Sequence, residues 1–266
     1  MKQFDEIGYW SEIKLEIISK YAAAYSGILA RQPGLEHVYI DAFAGGGVHV
    51  ARATGGYVLG SPLNALEVQP PFKEYFLIDI APDKVEGLRA RVGDRRDVHI
   101  MPGDCNLILL QEVFPRVRYE DYRRGLCLLD PYGLDLDWRV MATAGSMRSI
   151  EMFLNFPVLD MNRNVLWHVL EEVDPADRDR LNRFWGDDSW RRVMYSTAGN
   201  LFGWEEKSGD NETIARAFRE RLRTVGGPSS REAGCGPNRR SGKSSFSSRG
   251  SSNSLGAIRS RHDPKT

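Results

Sequence analysis

The sequence has few cysteines, no long apolar run and no net charge, and each absence excludes a class of protein. Its three cysteines, Cys105, Cys127 and Cys235, form no C-x-x-C pair, so neither a disulfide framework nor a zinc knuckle is predicted. The histidines show no metal-ligand spacing, and we expect no metal. The first ten residues include two acids and no apolar run. We therefore expect a cytoplasmic protein without a signal peptide or membrane helix.

The balance of 36 basic and 36 acidic residues conceals an uneven distribution of charge. Residues 226–266 hold eight Lys or Arg against two acids, which leaves the preceding part acidic and disfavours broad duplex binding by it. Arginine clusters at 89–96 and 116–124 are candidate nucleic-acid contacts, although such clusters are more often solvated helix faces. The segment 226–266 is also rich in Ser and Gly, and we expect it to be disordered.

An apolar strand that runs through an acid into glycines is the most informative stretch. It spans residues 38–47 and reads VYIDAFAGGG. Valine, tyrosine and isoleucine suit a buried strand, and glycines let the backbone turn sharply and approach a ligand closely. A dinucleotide fingerprint requires glycine where Val50 stands, so a nicotinamide cofactor is disfavoured. The pattern is more typical of an adenosyl-methionine site, although a plain strand connection would also use these glycines.

Predicted strands and helices alternate along the chain. The hydrophobic pattern predicts helices over 10–29, from Ser61-Pro62 onward, 82–92 and 107–114, a loop or small hairpin over 49–60, and strands over 38–40, 75–78, 98–101, 126–129 and 150–156. At Ser61-Pro62, a serine cap and a proline at the first helical position favour the start of a helix. The first helix is expected to pack through a face of Ile13, Ile17, Tyr21, Tyr25 and Ile28. Continuous apolar strands predict an α/β Rossmann-like fold, a mostly parallel sheet with helices on both faces.

Four predicted strands end in or just before an aspartate, namely Asp41, Asp79, Asp104 and Asp130. Ligands of such sheets bind at the carboxyl ends of the strands, so we expect these carboxylates to point into one crevice. The predicted organisation is an N-terminal helical segment (1–32), an α/β core (33–158), a helical, aromatic-rich part (159–225) and the tail (226–266). The aromatic residues of the third part are expected to form core more often than a substrate-facing cap.

A second motif, Asp130-Pro131-Tyr132-Gly133, follows the fourth strand. It resembles the D-P-P-Y motif of amino-methyltransferases, in which an acid holds an exocyclic amine and an aromatic ring stacks on the base. Tyr132 stands where that motif has its second proline. Asp-Pro-x-Gly is also a favourable type I turn, which is the structural alternative.

Six ordered motifs together look like a three-Cys-motif partner protein over roughly residues 10–225. They are residues 39–45, 60–62, 76–79, 103–106, 129–133 and 155–157. These bacterial proteins resemble class I methyltransferases and are named for a neighbouring protein that bears the three cysteines. The resemblance implies a class I methyltransferase fold, S-adenosylmethionine as cofactor, a three-Cys-motif protein as partner, and a mobile-element or defence setting.

The resemblance also implies roles for particular residues. Those at the methionine end of the cofactor would be Asp41, Ala44, Gly45 and Gly47; Asp79 would bind the ribose hydroxyls, and Asp104 would lie near the adenine amine. Asp130, Pro131 and Tyr132 would face the methyl acceptor, with Asn155 and Phe156 at the border of the pocket. The implied activity is methylation of an amine of a DNA or RNA base.

A non-catalytic subunit that docks the partner is the alternative, favoured by the incomplete D-P-P-Y motif. Family members usually continue beyond the helix ending near Arg223 into further apolar elements, whereas this chain turns Ser/Arg-rich. We therefore expect a divergent or frameshifted end.

Overall fold

The computed structural model describes residues 4–197 and 204–225, so the predicted disordered tail, 226–266, lies outside the described residues. The strands are, in chain order, β1 (Asp5–Ile7), β2 (Glu36–Asp41), β3 (Val48–Ala51), β4 (Tyr57–Leu59), β5 (Tyr75–Asp79), β6 (Val98–Pro102), β7 (Arg123–Leu129), β8 (Ile150–Leu154), β9 (Tyr195–Ser196) and β10 (Glu206–Lys207). The helices are α1 (Tyr9–Leu29), α2 (Ser61–Leu66), α3 (Pro82–Val92), α4 (Cys105–Ile108), α5 (Trp138–Met147), α6 (Val158–Asn164), α7 (Pro175–Trp185), α8 (Trp190–Met194) and α9 (Asn211–Val225). Within the described ranges, no helix is long and apolar enough to cross a bilayer.

Five parallel strands form the central sheet in the order β6-β5-β2-β7-β8. From β2 the chain builds outward through β5 and β6, and it then returns to the other side of β2 to form β7 and β8. The order therefore reverses between β2 and β7, and in doubly wound sheets ligands bind at the carboxyl ends of the strands beside such a reversal. The predicted α/β fold with a parallel sheet is confirmed.

Helices cover both faces of this sheet because successive strand residues point to opposite sides. On one face Tyr39 and Leu77 pack with α1, α2 and α3 residues, among them Ile18, Ala65 and Leu88. On the other face, Ile40 and Ile78 pack with a larger cluster. That cluster includes Leu109, Val140, Phe184, Trp190 and Phe218, so the core continues from the sheet into residues 159–225.

The N-terminal strand belongs to a second, smaller sheet. Strand β1 pairs in parallel with β3, and β3 pairs antiparallel with β4 as the hairpin predicted over 49–60. An ion pair between Asp5 and Lys84 ties β1 to α3. These contacts place β1 beside the carboxyl edge of the central sheet.

The packing face of α1 differs from the predicted one. Its buried residues are Leu15, Ile18, Ala22 and Ser26, whereas Ile17, Tyr21 and Ile28 are exposed. Both sets recur at helical spacing, and the pattern alone did not distinguish them. Of the predicted face, Tyr25 does pack against the core, where its ring stacks on that of Phe72, and Ile13 is partly buried.

Helix α2 begins where the Ser61-Pro62 pair predicted, but Ser61 does not cap it. Gly60 holds the extended conformation of the capping position, without a side-chain hydrogen bond. The Ser61 hydroxyl instead donates to Asp41 Oδ2 at 2.6 Å. Ser61 is itself the first helical residue, so its hydroxyl supplies a donor to the buried Asp41 carboxyl instead of capping the helix.

The aromatic residues of the C-terminal part form core around Phe218 of α9. Its ring centroid lies 5.1 Å from that of Phe184, 5.3 Å from that of Trp185 and 4.9 Å from that of Phe156. Trp167 and Trp204 differ, since 43% and 50% of each is exposed. Most of the aromatic side chains of this part therefore pack in the core, as expected from the sequence.

Candidate functional site

Asp41 ends β2 at the reversal point of the sheet, and its carboxylate is fully buried. It accepts hydrogen bonds from the Ser61 hydroxyl, the Phe43 amide at 3.2 Å and the Tyr39 hydroxyl at 3.3 Å. Burial raises the pKa of Asp41 to about 7, against the opposing effect of the Ser61 and Phe43 hydrogen bonds. Asp41 therefore organises the turn after β2 and does not line the cavities described below.

The glycine turn after β2 has two left-handed positions with different roles. Gly45 has φ +63°, and its amide donates to Asp79 Oδ2 at 2.8 Å. Gly47 has φ +83°, and a β-carbon there would lie 3.0 Å from Leu88 Cδ1 and 3.1 Å from Leu63 Cγ. The turn thus brings Ala44 and Gly45 to the crevice, whereas Gly47 lets the backbone pack closely against α2 and α3.

Asp79, at the end of β5, joins this turn to the next one. Its Oδ2 accepts from Gly45, and its Oδ1 accepts from the Ala81 amide at 2.9 Å. Two carboxylate oxygens offer about four lone-pair sites, so the side chain can still accept hydrogen bonds from a ligand. It lines the crevice beside Ile80.

Asp104 caps the short helix α4 after β6. Its Oδ1 accepts from the Asn106 amide at 2.9 Å and from Asn106 Nδ2 at 3.0 Å. Among the described residues, Asp104 Oδ2 has no hydrogen-bond donor. Cys105 follows it in the wall of the crevice, and burial raises the pKa of this thiol to about 12, so it is not a thiolate nucleophile.

Asp130, directly after β7, is held from two sides. Lys14 Nζ, from α1, lies 2.6 Å from Asp130 Oδ2, and Asn155 Nδ2 donates to Oδ1 at 2.8 Å. With both partners in place, 23% of the Asp130 side chain is still exposed to solvent. Tyr132 projects into solvent beside it with 80% of its surface exposed. Each carboxylate oxygen therefore already has one nitrogen partner.

Two cavities lie side by side along this edge of the sheet. The first, of about 180 Å³, is lined by Ala42, Phe43, Asp79, Ile80, Gly103, Asp104, Cys105, Tyr132 and Asp135. The second, of about 300 Å³, is lined by Ile7, Ser11, Lys14, Leu15, Phe43, Ala44, Gly45, His49, Ser61, Asp130, Pro131, Tyr132 and Asn155. They share Phe43 and Tyr132, so we call the pair the crevice.

The crevice brings together most of the residues predicted from the sequence. Ala44, Gly45, Asp79, Asp104, Asp130, Pro131 and Tyr132 all line it, while Asp41 and Gly47 lie behind its wall. Phe156 packs against the aromatic core instead of bordering the crevice. The predicted convergence of aspartates therefore holds for three of the four side chains.

Sequence reasoning gave no site role to Lys14 and His49. Burial lowers the pKa of His49, and its Nδ1 has no hydrogen-bond partner within the described part of the chain. Lys14 lies on a helix that carries other charges, and nothing in its spacing marks it. Both reach the second cavity only because β1, α1 and the hairpin fold over the sheet edge, which local sequence patterns do not reveal.

The arginine clusters lie away from the crevice. Arg123 and Arg124 begin β7, and Arg95 precedes β6, so these residues stand at the amino edge of the sheet. Arg95 pairs with Asp97 at 2.6 Å, and Arg118 pairs with Asp121 at 2.8 Å. The crevice edge, by contrast, is predominantly acidic.

Comparisons with known proteins give distant structural likenesses and no match to a family model or a curated protein. Among solved structures, the chain is similar to a crystal structure of a Legionella pneumophila protein of the family DUF519. The TM-score is 0.42 and the identity 12%, with 79% of this chain and 91% of that chain covered. A likeness this distant conveys neither an activity nor a set of site residues.

Proposed function

We propose that this chain binds S-adenosylmethionine and methylates an amine of a nucleic acid base in the cytoplasm, together with a three-Cys-motif partner protein. One observation carries the proposal. The glycine turn after β2, the acids after β5 and β6 and the Asp-Pro-Tyr motif after β7 line one crevice beside the reversal point of the sheet. That is where doubly wound sheets bind nucleotides.

The first cavity fits the adenosine half of the cofactor. Phe43, Ile80 and Cys105 provide apolar walls for a purine, and three carboxylates, those of Asp79, Asp104 and Asp135, also line the cavity. Asp79 retains acceptor capacity for the two ribose hydroxyls, and the unpartnered Oδ2 of Asp104 suits an adenine amine. Apolar walls with a few placed polar groups are typical of small-molecule sites.

The second cavity fits the methionine half and the acceptor. Ala44 and Gly45 present backbone at close range, and the neighbouring acids favour the positive sulfonium group. S-adenosylmethionine supplies an electrophilic methyl group there. Asp130 would accept a hydrogen bond from the acceptor amine, and the exposed ring of Tyr132 would stack on the base.

A nicotinamide cofactor fits this arrangement poorly. In dinucleotide sites the glycine turn opens directly into a helix whose amino end meets the pyrophosphate. Here the turn after β2 opens into strand β3, and Val50 pairs with Tyr57 in the hairpin. The turn is therefore followed by a strand, and not by a helix whose amino end could meet a pyrophosphate.

Calorimetric titration with S-adenosylhomocysteine tests the cofactor site. We expect saturable binding, weakened at least about tenfold by Asp79→Asn, since one charge-assisted hydrogen bond contributes about 1.5–3 kcal/mol. The asparagine keeps the shape of the side chain, and thermal melting checks that the variant is folded. Asp121→Asn at the opposite edge is the matched control and should bind as the parent does.

Absence of binding by the folded parent protein would contradict the proposal and favour the docking-subunit alternative. A specific observation supports that alternative, because both oxygens of Asp130 already have nitrogen partners. The two are separated by transfer of a labelled methyl group to mixed DNA and RNA in the presence of the partner. A docking subunit would bind the partner and transfer no label.

A further inference from the structure

Lys14 occupies the position that the proposed function assigns to the acceptor amine. Its Nζ lies 2.6 Å from Asp130 Oδ2, and it lines the same cavity as Ala44, Gly45 and Tyr132. An external amine would have to share Asp130 with this ammonium and with the Asn155 amide, since each carboxylate oxygen already has one nitrogen partner. In this state of the chain, the amine presented at the site is therefore its own.

We propose that Lys14 is an internal methyl acceptor, so that the chain methylates its own Nζ before or instead of an external amine. This inference rests on the proposed function. Lys14 is fixed from both ends. Its neighbour Leu15 is buried against the core and anchors the helix backbone, while Asp130 holds the Nζ. Such fixed positioning of a nucleophile is a main source of rate in intramolecular reactions.

The chemistry balances with the proposed methyl donor. Lys14 loses a proton to water in the open cavity, and the freed lone pair on Nζ attacks the methyl carbon of S-adenosylmethionine. The new N–C bond forms as the S–CH₃ bond breaks, and the bonding pair stays on sulfur to give S-adenosylhomocysteine. About 30% of the Lys14 side chain is exposed, so water can reach the amine.

Methylation would change what Lys14 does at the site. An ammonium has three N–H donors, and each added methyl group removes one while the positive charge remains. A fully methylated Lys14 could no longer donate to Asp130. Asp130 Oδ2 would then have lost the Lys14 donor, and self-methylation would leave that oxygen to an external amine while Asn155 still donates to Oδ1.

Two other groups serve as internal references. Lys20 lies on the same helix, and its Nζ is also 2.6 Å from a carboxylate, that of Glu16, yet it is 75% exposed and outside the crevice. His49 lines the second cavity and has a nucleophilic nitrogen, but it is not held by Asp130. Among the described residues lining the second cavity, Lys14 alone carries an amine.

The test is peptide mapping by mass spectrometry of the full chain, with S-adenosylmethionine carrying a deuterated methyl group. Unlabelled methyl groups on Lys14 in the protein as isolated provide a readout independent of the added cofactor. We expect the deuterated methyl group on Lys14 in more than about tenfold excess over Lys20. Lys14→Arg, which keeps the cation, should abolish the label, and Lys20→Arg should not.

Calorimetry with S-adenosylhomocysteine on the same samples separates the two proposals. If the cofactor product binds and the label appears on His49, on Lys20 equally, or nowhere, the Lys14 inference is overturned and the cofactor site stands. If the folded protein does not bind it, both proposals are overturned. Thermal melting of Lys14→Arg identifies a loss of label that follows from misfolding, and Asp130→Asn then provides the second variant, with loss of label again expected.

Discussion

Asp41 makes the stability of this fold depend on pH in a way that one substitution isolates. Its pKa rises from an ordinary value of 3.8 to about 7, chiefly because the carboxyl is buried. Between these values the folded chain keeps a proton that the unfolded chain has released. The folded state therefore binds more protons, and stability falls as pH rises through this window.

The magnitude follows from the size of the shift. One pKa unit corresponds to about 1.4 kcal/mol, so the full effect above pH 7 is about 4 kcal/mol, of which about 2–3 kcal/mol develops between pH 5 and pH 8. For a chain of this size the latter figure corresponds to about 5–10 °C in melting temperature.

Asp41→Asn removes the titration while its amide oxygen can still accept from Phe43. We expect the melting temperature of the parent to fall by about 5–10 °C relative to the variant between pH 5 and pH 8. All other titrating groups are common to both proteins and cancel in the difference. Parallel melting curves across this range would refute the assignment of a raised pKa to Asp41.

Ser61→Ala is a second variant, and it should change the pH dependence of stability in the direction opposite to Asp41→Asn. The Ser61 hydroxyl donates to Asp41 Oδ2 and lowers the pKa of that carboxyl. Its removal should raise the pKa of Asp41 further and deepen the loss of stability at pH 8. The two variants therefore move the pH dependence in opposite directions, which a general loss of packing would not do.

Two further substitutions test the packing that shapes the crevice, both by chemical denaturation. Gly47→Ala should destabilise the fold by about 1–3 kcal/mol, because the residue has positive φ and its β-carbon would crowd Leu63 and Leu88. Gly55→Ala is the control, since Gly55 also has positive φ but lies in open space, and it should destabilise the fold less. Phe218→Ala should destabilise by about 3–5 kcal/mol and Phe218→Leu by less, since the ring packs among four aromatic neighbours. Equal effects of the paired variants would contradict these packing arguments.

Much of the sheet was accessible from the sequence because a parallel strand buried on both faces is a continuous apolar run. Strands β5 and β6 and helix α3 lie within a residue of their predicted bounds. Parallel alignment then requires the ends of these strands to meet at one edge, so the convergence of Asp79, Asp104 and Asp130 also followed.

The sequence-based predictions failed where the structure depends on contacts between segments that are far apart in the chain. The packing face of α1 was predicted correctly for Tyr25 and wrongly for Ile17, Tyr21 and Ile28, because two sets of residues share helical spacing and only the fit against the rest of the fold selects between them. Ser61 was assigned to a helix cap because the pattern is local, whereas its partner Asp41 is 20 residues away. Lys14 reaches Asp130 across 116 residues, a separation at which periodicity carries no information.

The charge distribution bears on how a nucleic acid would reach this crevice. Its edge carries Asp79, Asp104, Asp130 and Asp135, and the Lys14 ammonium is paired with one of them. The arginine clusters stand at the opposite edge, where several are already in ion pairs. Phosphate contacts supply most non-specific affinity for nucleic acids, and this edge offers few.

A base could enter an acidic crevice only if cations elsewhere hold its backbone. On composition the basic segment 226–266 could supply them, and so could a partner protein. The nucleic-acid proposal therefore requires a source of positive charge outside the crevice, either that segment or the proposed partner protein.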